Sequence, residues 1–253
     1  MDQRPVPLGS TRTDVLGVPV DTVNMQSVLE NVRGMLASNT THVIVAVNPE
    51  KVIAAQQNPG LLSALRKATL VIPDGIGVVA AARLLGKGHM ERVPGSDLMP
   101  EICRLAAAEG NSVFLYGAKP EIVSQAAMLL QNRYPGLIVA GTQHGYVLDE
   151  EMGSLVETIN ASGADILFVG LGSPRQELWM ARYGERLCVR VCQGVGGTFD
   201  AICGYPKRAP QAFQKLHLEW LYRLVSQPHR AHRQLALPRF VSQVLRQLIM
   251  RKR

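Results

Sequence analysis

The chain has 253 residues, 47% hydrophobic, 19% charged and 5% aromatic, with 27 Lys+Arg against 20 Asp+Glu and a formal charge of +7. That length can bury a full core and that composition is too apolar for disorder, so one large domain, or one domain with an appendage, is expected. No apolar run approaches the roughly 20 residues that span a bilayer. Met1-Asp2-Gln3-Arg4-Pro5 lacks the regions of a signal peptide, so a cytoplasmic location is expected.

The charge is uneven. Residues 1–204 hold 16 Lys+Arg against 19 Asp+Glu, a net of −3, whereas 205–253 hold 11 against Glu219 alone, a net of +10. The chain therefore divides into a near-neutral body, 1–204, and a basic segment, 205–253. The latter suits an anionic partner such as lipid headgroups, nucleic acid or a pyrophosphate.

In chain order, short β-branched runs at 15–20, 42–47, 70–72, 112–116, 137–141, 165–170 and 189–193 read as strands. Helical patterns at 25–37, 49–57, 60–68, 76–85, 96–109, 120–134, 149–160 and 174–186 lie between them. This alternation predicts an α/β fold with a mainly parallel sheet flanked by helices. Ser96-Asp97 and Ser173-Pro174 read as helix starts, with a hydroxyl to cap and Pro in the first turn. Cys103, Cys188, Cys192 and Cys203 form no CxxC and no paired zinc spacing, so they are expected to be reduced and mostly buried rather than metal ligands.

After Cys203 the stretch Gly204-Tyr205-Pro206-Lys207-Arg208-Ala209-Pro210 reads as a turn or linker. It precedes helical patterns at 211–227 and 229–253. In the second, Leu235, Leu237, Phe240, Val241, Val244, Leu245, Leu248 and Ile249 recur at helical spacing, with Arg239, Arg246 and Arg251 between them. That is a basic amphipathic helix interrupted at Pro238, which either packs on the body or lies on a membrane surface.

Ligands of open parallel sheets bind beyond the carboxyl ends of the strands. The loops there are Asn48-Pro49-Glu50, Pro73-Asp74-Gly75-Ile76-Gly77, Gly170-Leu171-Gly172-Ser173-Pro174-Arg175-Gln176 and Gly194-Val195-Gly196-Gly197-Thr198-Phe199-Asp200. Glycine-rich turns before helices suit phosphate, so a nucleotide is the first expectation. The dinucleotide and P-loop fingerprints are both missing, which disfavours a dehydrogenase or a P-loop NTPase. Asp74 is the best candidate for a catalytic carboxylate, although Pro-Asp-Gly is also a common turn. Asp97 reads as a first-turn helix residue and Asp200 as a turn or cap. No Asp-x-Asp pair is available to hold a cation on a diphosphate, so arginines such as Arg92 would neutralise it.

At these loops, together with Arg92-Val93-Pro94-Gly95-Ser96-Asp97-Leu98, Glu219-Trp220-Leu221-Tyr222-Arg223-Leu224, Pro228-His229-Arg230 and Arg233, the sequence resembles the WecG/TagA/CpsF family of bacterial glycosyltransferases, glycosyltransferase family 26. The agreement runs in order over roughly residues 14–235. The resemblance implies a Rossmann-like body and a C-terminal appendage that closes over the site and associates with membrane. It also implies an inverting, metal-independent transfer of a sugar, N-acetylmannosamine or another hexose, from UDP to a polyprenyl-diphosphate-linked saccharide. No cofactor is implied, because the UDP-sugar is a substrate. By position Asp74 resembles the general base. Asn48 and Gln176 match polar residues near the sugars, and Arg92 matches a pocket arginine. Gly170, Gly172 and Gly196 line the donor loops, while Arg223, Arg230 and Arg233 match arginines that reach the diphosphates. Ala46 departs from the Thr often found two residues before the Asn.

The resemblance places the protein at the cytoplasmic face of the inner membrane, on an anionic surface, with room for a homo-oligomer. An exopolysaccharide glucosyltransferase is the alternative within this class. From other classes come a non-enzymatic binder of anionic membrane or nucleic acid and a nucleotide-cofactor oxidoreductase. Against nucleic acid, the basic segment has amphipathic periodicity and no recognised nucleic-acid motif.

Overall fold

The computed structural model describes residues 11–205 and 236–251. The chain opens with β1 (Arg12–Val15) and β2 (Val18–Asp21), which pair antiparallel with Val15 opposite Val18. A single strand over 15–20 was expected from the sequence. The chain instead reverses at Leu16-Gly17, both at positive φ (55° and 88°), the backbone a tight hairpin needs. Leu16 is not a turn-forming residue; the Asp14 carboxylate holds the turn by accepting from the Gly17 N–H at 2.8 Å.

The elements that follow are α1 (Met25–Leu36), β3 (His42–Val47), α2 (Pro49–Gln57), α3 (Pro59–Lys67), β4 (Leu70–Pro73), α4 (Ile76–Leu84) and α5 (Gly95–Glu109). The second half contains β5 (Ser112–Gly117), α6 (Pro120–Arg133), β6 (Ile138–Gln143), α7 (Met152–Ala161), β7 (Ile166–Gly170), α8 (Arg175–Tyr183), β8 (Val191–Gly194) and α9 (Thr198–Ile202). The last described element is α10 (Ala236–Arg251). The expected helices at 149–160 and 174–186 are each α-helix joined to a tighter 3-10 turn, at Asp149–Glu151 and Gly184–Arg186.

Strands β3 to β8 form one parallel sheet in the order β4-β3-β8-β7-β5-β6. Its interior strands read as near-continuous apolar runs because both faces are covered. Helices α2, α3, α4, α7, α8 and α10 pack on one face. The other face carries α1, α5, α6 and α9. The fold is therefore the expected α/β, Rossmann-like one, and the parallel arrangement puts every strand's carboxyl end on one edge.

Helix starts depart from expectation. Asparagines do the capping: Asn24, Asn48 and Asn58 accept from the amides of Ser27, Lys51 and Leu61. Ser96 lies inside α5, whose cap is Pro94, and Ser173 precedes the α8 cap Pro174; neither makes a side-chain cap. Pro238 does not interrupt α10. It occupies the first turn, where no intrahelical N–H bond is required. Phe240 and Val244 of α10 are buried in the core cluster that contains α2. Among the described residues no helix is long and apolar enough to cross a membrane. Of the thiols, Cys103 and Cys192 are buried as expected, but Cys188 is exposed and Cys203 half-buried.

Candidate active site

The β3–α2 turn and the β4–α4 turn are built against each other. A Cβ on Gly75 would lie 2.7 Å from Pro49 Cδ and 3.2 Å from Asn48 Cβ, and one on Gly77 would lie 2.7 Å from Pro49 Cγ. Only glycine permits this approach, and it sets Asp74 directly beside Asn48. The Asp74 backbone is pinned on both sides: its N–H donates to the Val47 carbonyl at 2.9 Å, and its carbonyl accepts from Arg92 Nε at 2.9 Å. The half-buried side chain accepts from the Gly95 N–H at 3.3 Å, at the start of α5. Val93 N–H bonds the Pro73 carbonyl at 2.8 Å, so the irregular strip before α5 extends β4 past its end.

Asp74, Asn48 and Arg92 thus converge. Asn48 already has one duty, since its carbonyl oxygen caps α2 on Lys51 N–H at 2.9 Å. Arg92 holds the turn that carries Asp74 through its Nε. Ala46 also belongs here: a Cβ on Gly95 would lie 3.3 Å from that of Ala46. Gln193, 1% exposed on β8, reaches toward the Gly95 carbonyl at 3.5 Å, and its own Oε1 has no partner among the described residues.

The second half of the edge lies at the ends of β7 and β8. Gln176 is 3% exposed, and its amide is used at both ends. Its Oε1 accepts from Gly196 N–H at 2.9 Å, and its Nε2 donates to Glu177 Oε1 at 2.9 Å. Gln176 therefore braces the loop after β8 from beneath, and the Gly196 N–H points at this brace. The three glycines differ in purpose. A side chain on Gly170 would strike the Phe199 ring at 2.6 Å, so this glycine serves packing. Gly172 and Gly196 have open space around them and are required by positive φ, 75° and 57°. Asp97 lies in the first turn of α5 and Asp200 in that of α9, as expected for the former and one step into the helix for the latter. Arg223, Arg230 and Arg233 lie outside the described residues.

Two functional candidates that sequence reasoning missed link the halves. Lys51 and Glu177 are 7% and 1% exposed, and Lys51 Nζ meets Glu177 Oε1 at 2.7 Å. Lys51 Nζ also donates to the Ala46 carbonyl at 2.6 Å. A lysine in the first turn of a helix carries no sequence signal of burial. At the far end of the edge, Tyr146 stands 64% exposed after β6, with its N–H bonded to His144 Nδ1 at 3.2 Å. Among the described residues no group of three His, Cys, Asp or Glu could hold a metal ion.

An oriented carboxylate that can accept a proton, set at an edge where several helix N-termini favour phosphate, is the layout of an α/β group-transfer site. The chain belongs to the Glycosyl transferase WecG/TagA/CpsF family, whose model matches residues 13–253. It is similar to the N-acetylglucosaminyldiphosphoundecaprenol N-acetyl-beta-D-mannosaminyltransferase of Bacillus spizizenii, 38% identical over 83% of this chain and 81% of the relative. The protein of the same name from Staphylococcus aureus strain MW2 is 35% identical over 93% of this chain and 92% of its own.

Proposed function

We propose that the chain transfers N-acetylmannosamine from UDP to N-acetylglucosamine on a polyprenyl diphosphate, with inversion and with Asp74 as general base. The observation that carries this reading is the hold on Asp74: its backbone bonds Val47 and Arg92, and its carboxylate bonds the Gly95 amide. A base held this way is pre-aimed. The Asp74 carboxylate takes the proton of the acceptor hydroxyl while that oxygen bonds the anomeric carbon. The bond from that carbon to the donor phosphate breaks on the opposite face, and UDP departs with the electron pair. Helix N-termini and arginines receive the phosphate charge in place of a cation. Tyr146 offers its exposed face to the donor base.

The body 1–204 binds the donor and the segment 205–253 approaches the lipid-linked acceptor. An anionic surface on the cytoplasmic side of the inner membrane fits the basic segment and the outward apolar residues of α10, Val241, Leu245 and Ile249. A glucosyl donor is the second reading. Ala46 favours it, because no hydroxyl stands beside Gly95 where the family often carries Thr.

Asp74→Asn should lower turnover on a lipid-diphosphate acceptor by 10²-fold or more, at the low end of general-base effects, while UDP still shifts the melting temperature. Wild-type transfer should persist in EDTA. Near-normal turnover of the variant removes Asp74 as base, and a panel of UDP-sugars decides the donor.

A further inference from the structure

The interior of the edge holds a charge pair that the proposed chemistry does not use. Lys51 and Glu177 meet with side chains 8% and 0% exposed, so both charges have left water. Removing an ion from water costs several kcal/mol, and replacing a buried pair by apolar side chains is often neutral or stabilising. This pair is a poor stabiliser in a further respect: Glu177 Oε2 has no hydrogen-bond partner among the described residues. A buried carboxylate left half-satisfied calls for another explanation.

The bonds around it supply one. From the β8 end, Gly196 N–H donates to Gln176 Oε1, Gln176 Nε2 donates to Glu177 Oε1, and Lys51 Nζ donates to the same oxygen. Lys51 then joins the β3 end twice, through Nζ to the Ala46 carbonyl and through its own N–H to the Asn48 cap. Pro49 and Asn48 abut Gly75, the neighbour of Asp74. A continuous run of contacts, charge-assisted at its centre where Lys51 and Glu177 meet, therefore crosses beneath the sheet edge, from the glycine loop on one side to the Asp74 turn on the other. The backbone pairing of β3 with β8 ends at Ile44 and Gln193, short of both loops.

We propose that Lys51 and Glu177 are positioning residues for the transfer: together they set the spacing between the Asp74 turn and the Gly196 loop. The proposal rests on the transferase reading above, since the spacing matters only if the base on one side works on a donor held at the other. Charge-assisted bonds are short and directional, and a misplacement of about 1 Å can cost 10²-fold in rate.

The test separates spacing from stability. Lys51→Met with Glu177→Leu replaces the pair by apolar side chains, and Glu177→Gln keeps its shape without the charge. Three quantities are measured on the full chain: melting temperature, hydrogen exchange of the peptide covering 194–198, and kcat and KM for the donor. In the double variant the expected result is a melting temperature near that of the wild type, exchange at 194–198 faster by tenfold or more, and kcat lower by tenfold or more with KM changed less. Wild-type exchange together with wild-type kcat would overturn the proposal, as would faster exchange with kcat unchanged. Where the double variant does not fold, Glu177→Gln is read by the same exchange and kcat criteria. A wild-type chain that transfers no sugar refutes the transferase reading instead; the exchange of 194–198 then still shows whether the pair holds the loop.

Discussion

At the scale of single residues, burial decides what a side chain does more than its type. Asn48 carries a substrate-binding expectation but spends its carbonyl on a helix cap, and Gly170 is explained by a phenyl ring before any ligand is considered. The thiols behave alike in sequence and differ in place. Burial pushes the Cys103 thiol up to about 12 and Cys192 further still, while Cys188 is exposed. Since the thiolate is the reactive form, an aromatic disulfide reagent at pH 8 should titrate Cys188 quickly in the folded chain and reach Cys103 and Cys192 only after unfolding. Mass mapping of the labelled peptides checks this; rapid labelling of Cys192 in the folded chain would contradict the core packing.

Elements were legible to the degree that local signals act alone. Residues 42–47 and 49–57 are read correctly because an apolar β-branched run and a Pro in a first turn need no tertiary help. The β1–β2 hairpin was not legible, because Leu16 sits at positive φ and a side-chain bond from Asp14 secures it. That hairpin guards the edge of the sheet. Fully buried Asp21 accepts from Arg12 Nε and Nη2, each at 2.8 Å, and from the Val71 N–H of edge strand β4 at 2.7 Å. Asp21→Ala leaves the buried Val71 amide without its acceptor and Arg12 with only the carbonyls of Ala68 and Thr69. It should cost about 3 kcal/mol, measured by urea unfolding. A loss under about 0.5 kcal/mol, the usual range for surface changes, would show that the hairpin contributes little to that edge.

For the whole molecule, α10 shows how one helix divides its apolar residues. Phe240 and Val244 face α2 and are buried, whereas Val241, Leu245 and Ile249 are 54%, 52% and 61% exposed. If this outward stripe and the arginines beside it meet lipid, as proposed, serine at 241, 245 and 249 should weaken sedimentation with phosphatidylglycerol vesicles tenfold or more. Each buried aliphatic side chain is worth about 1.5–3 kcal/mol. The melting temperature should stay unchanged, and undiminished binding would move the membrane surface elsewhere on the chain. By itself, the sequence determined the parallel α/β class, the division of charge into a body at −3 and a segment at +10, and Asp74 as the carboxylate of interest. These rest on periodicity, composition and a strand-end position, all readable along the chain. Only the tertiary structure decided that Asp74 is held by Gly95, that the Gly196 amide is committed to Gln176, and that Lys51 and Glu177 are buried together. The partners in those contacts are 21, 20 and 126 residues apart. Lys51 and Glu177 come from different helices, so their desolvation follows from the packing of α2 and α8, each against α3, and from no local pattern.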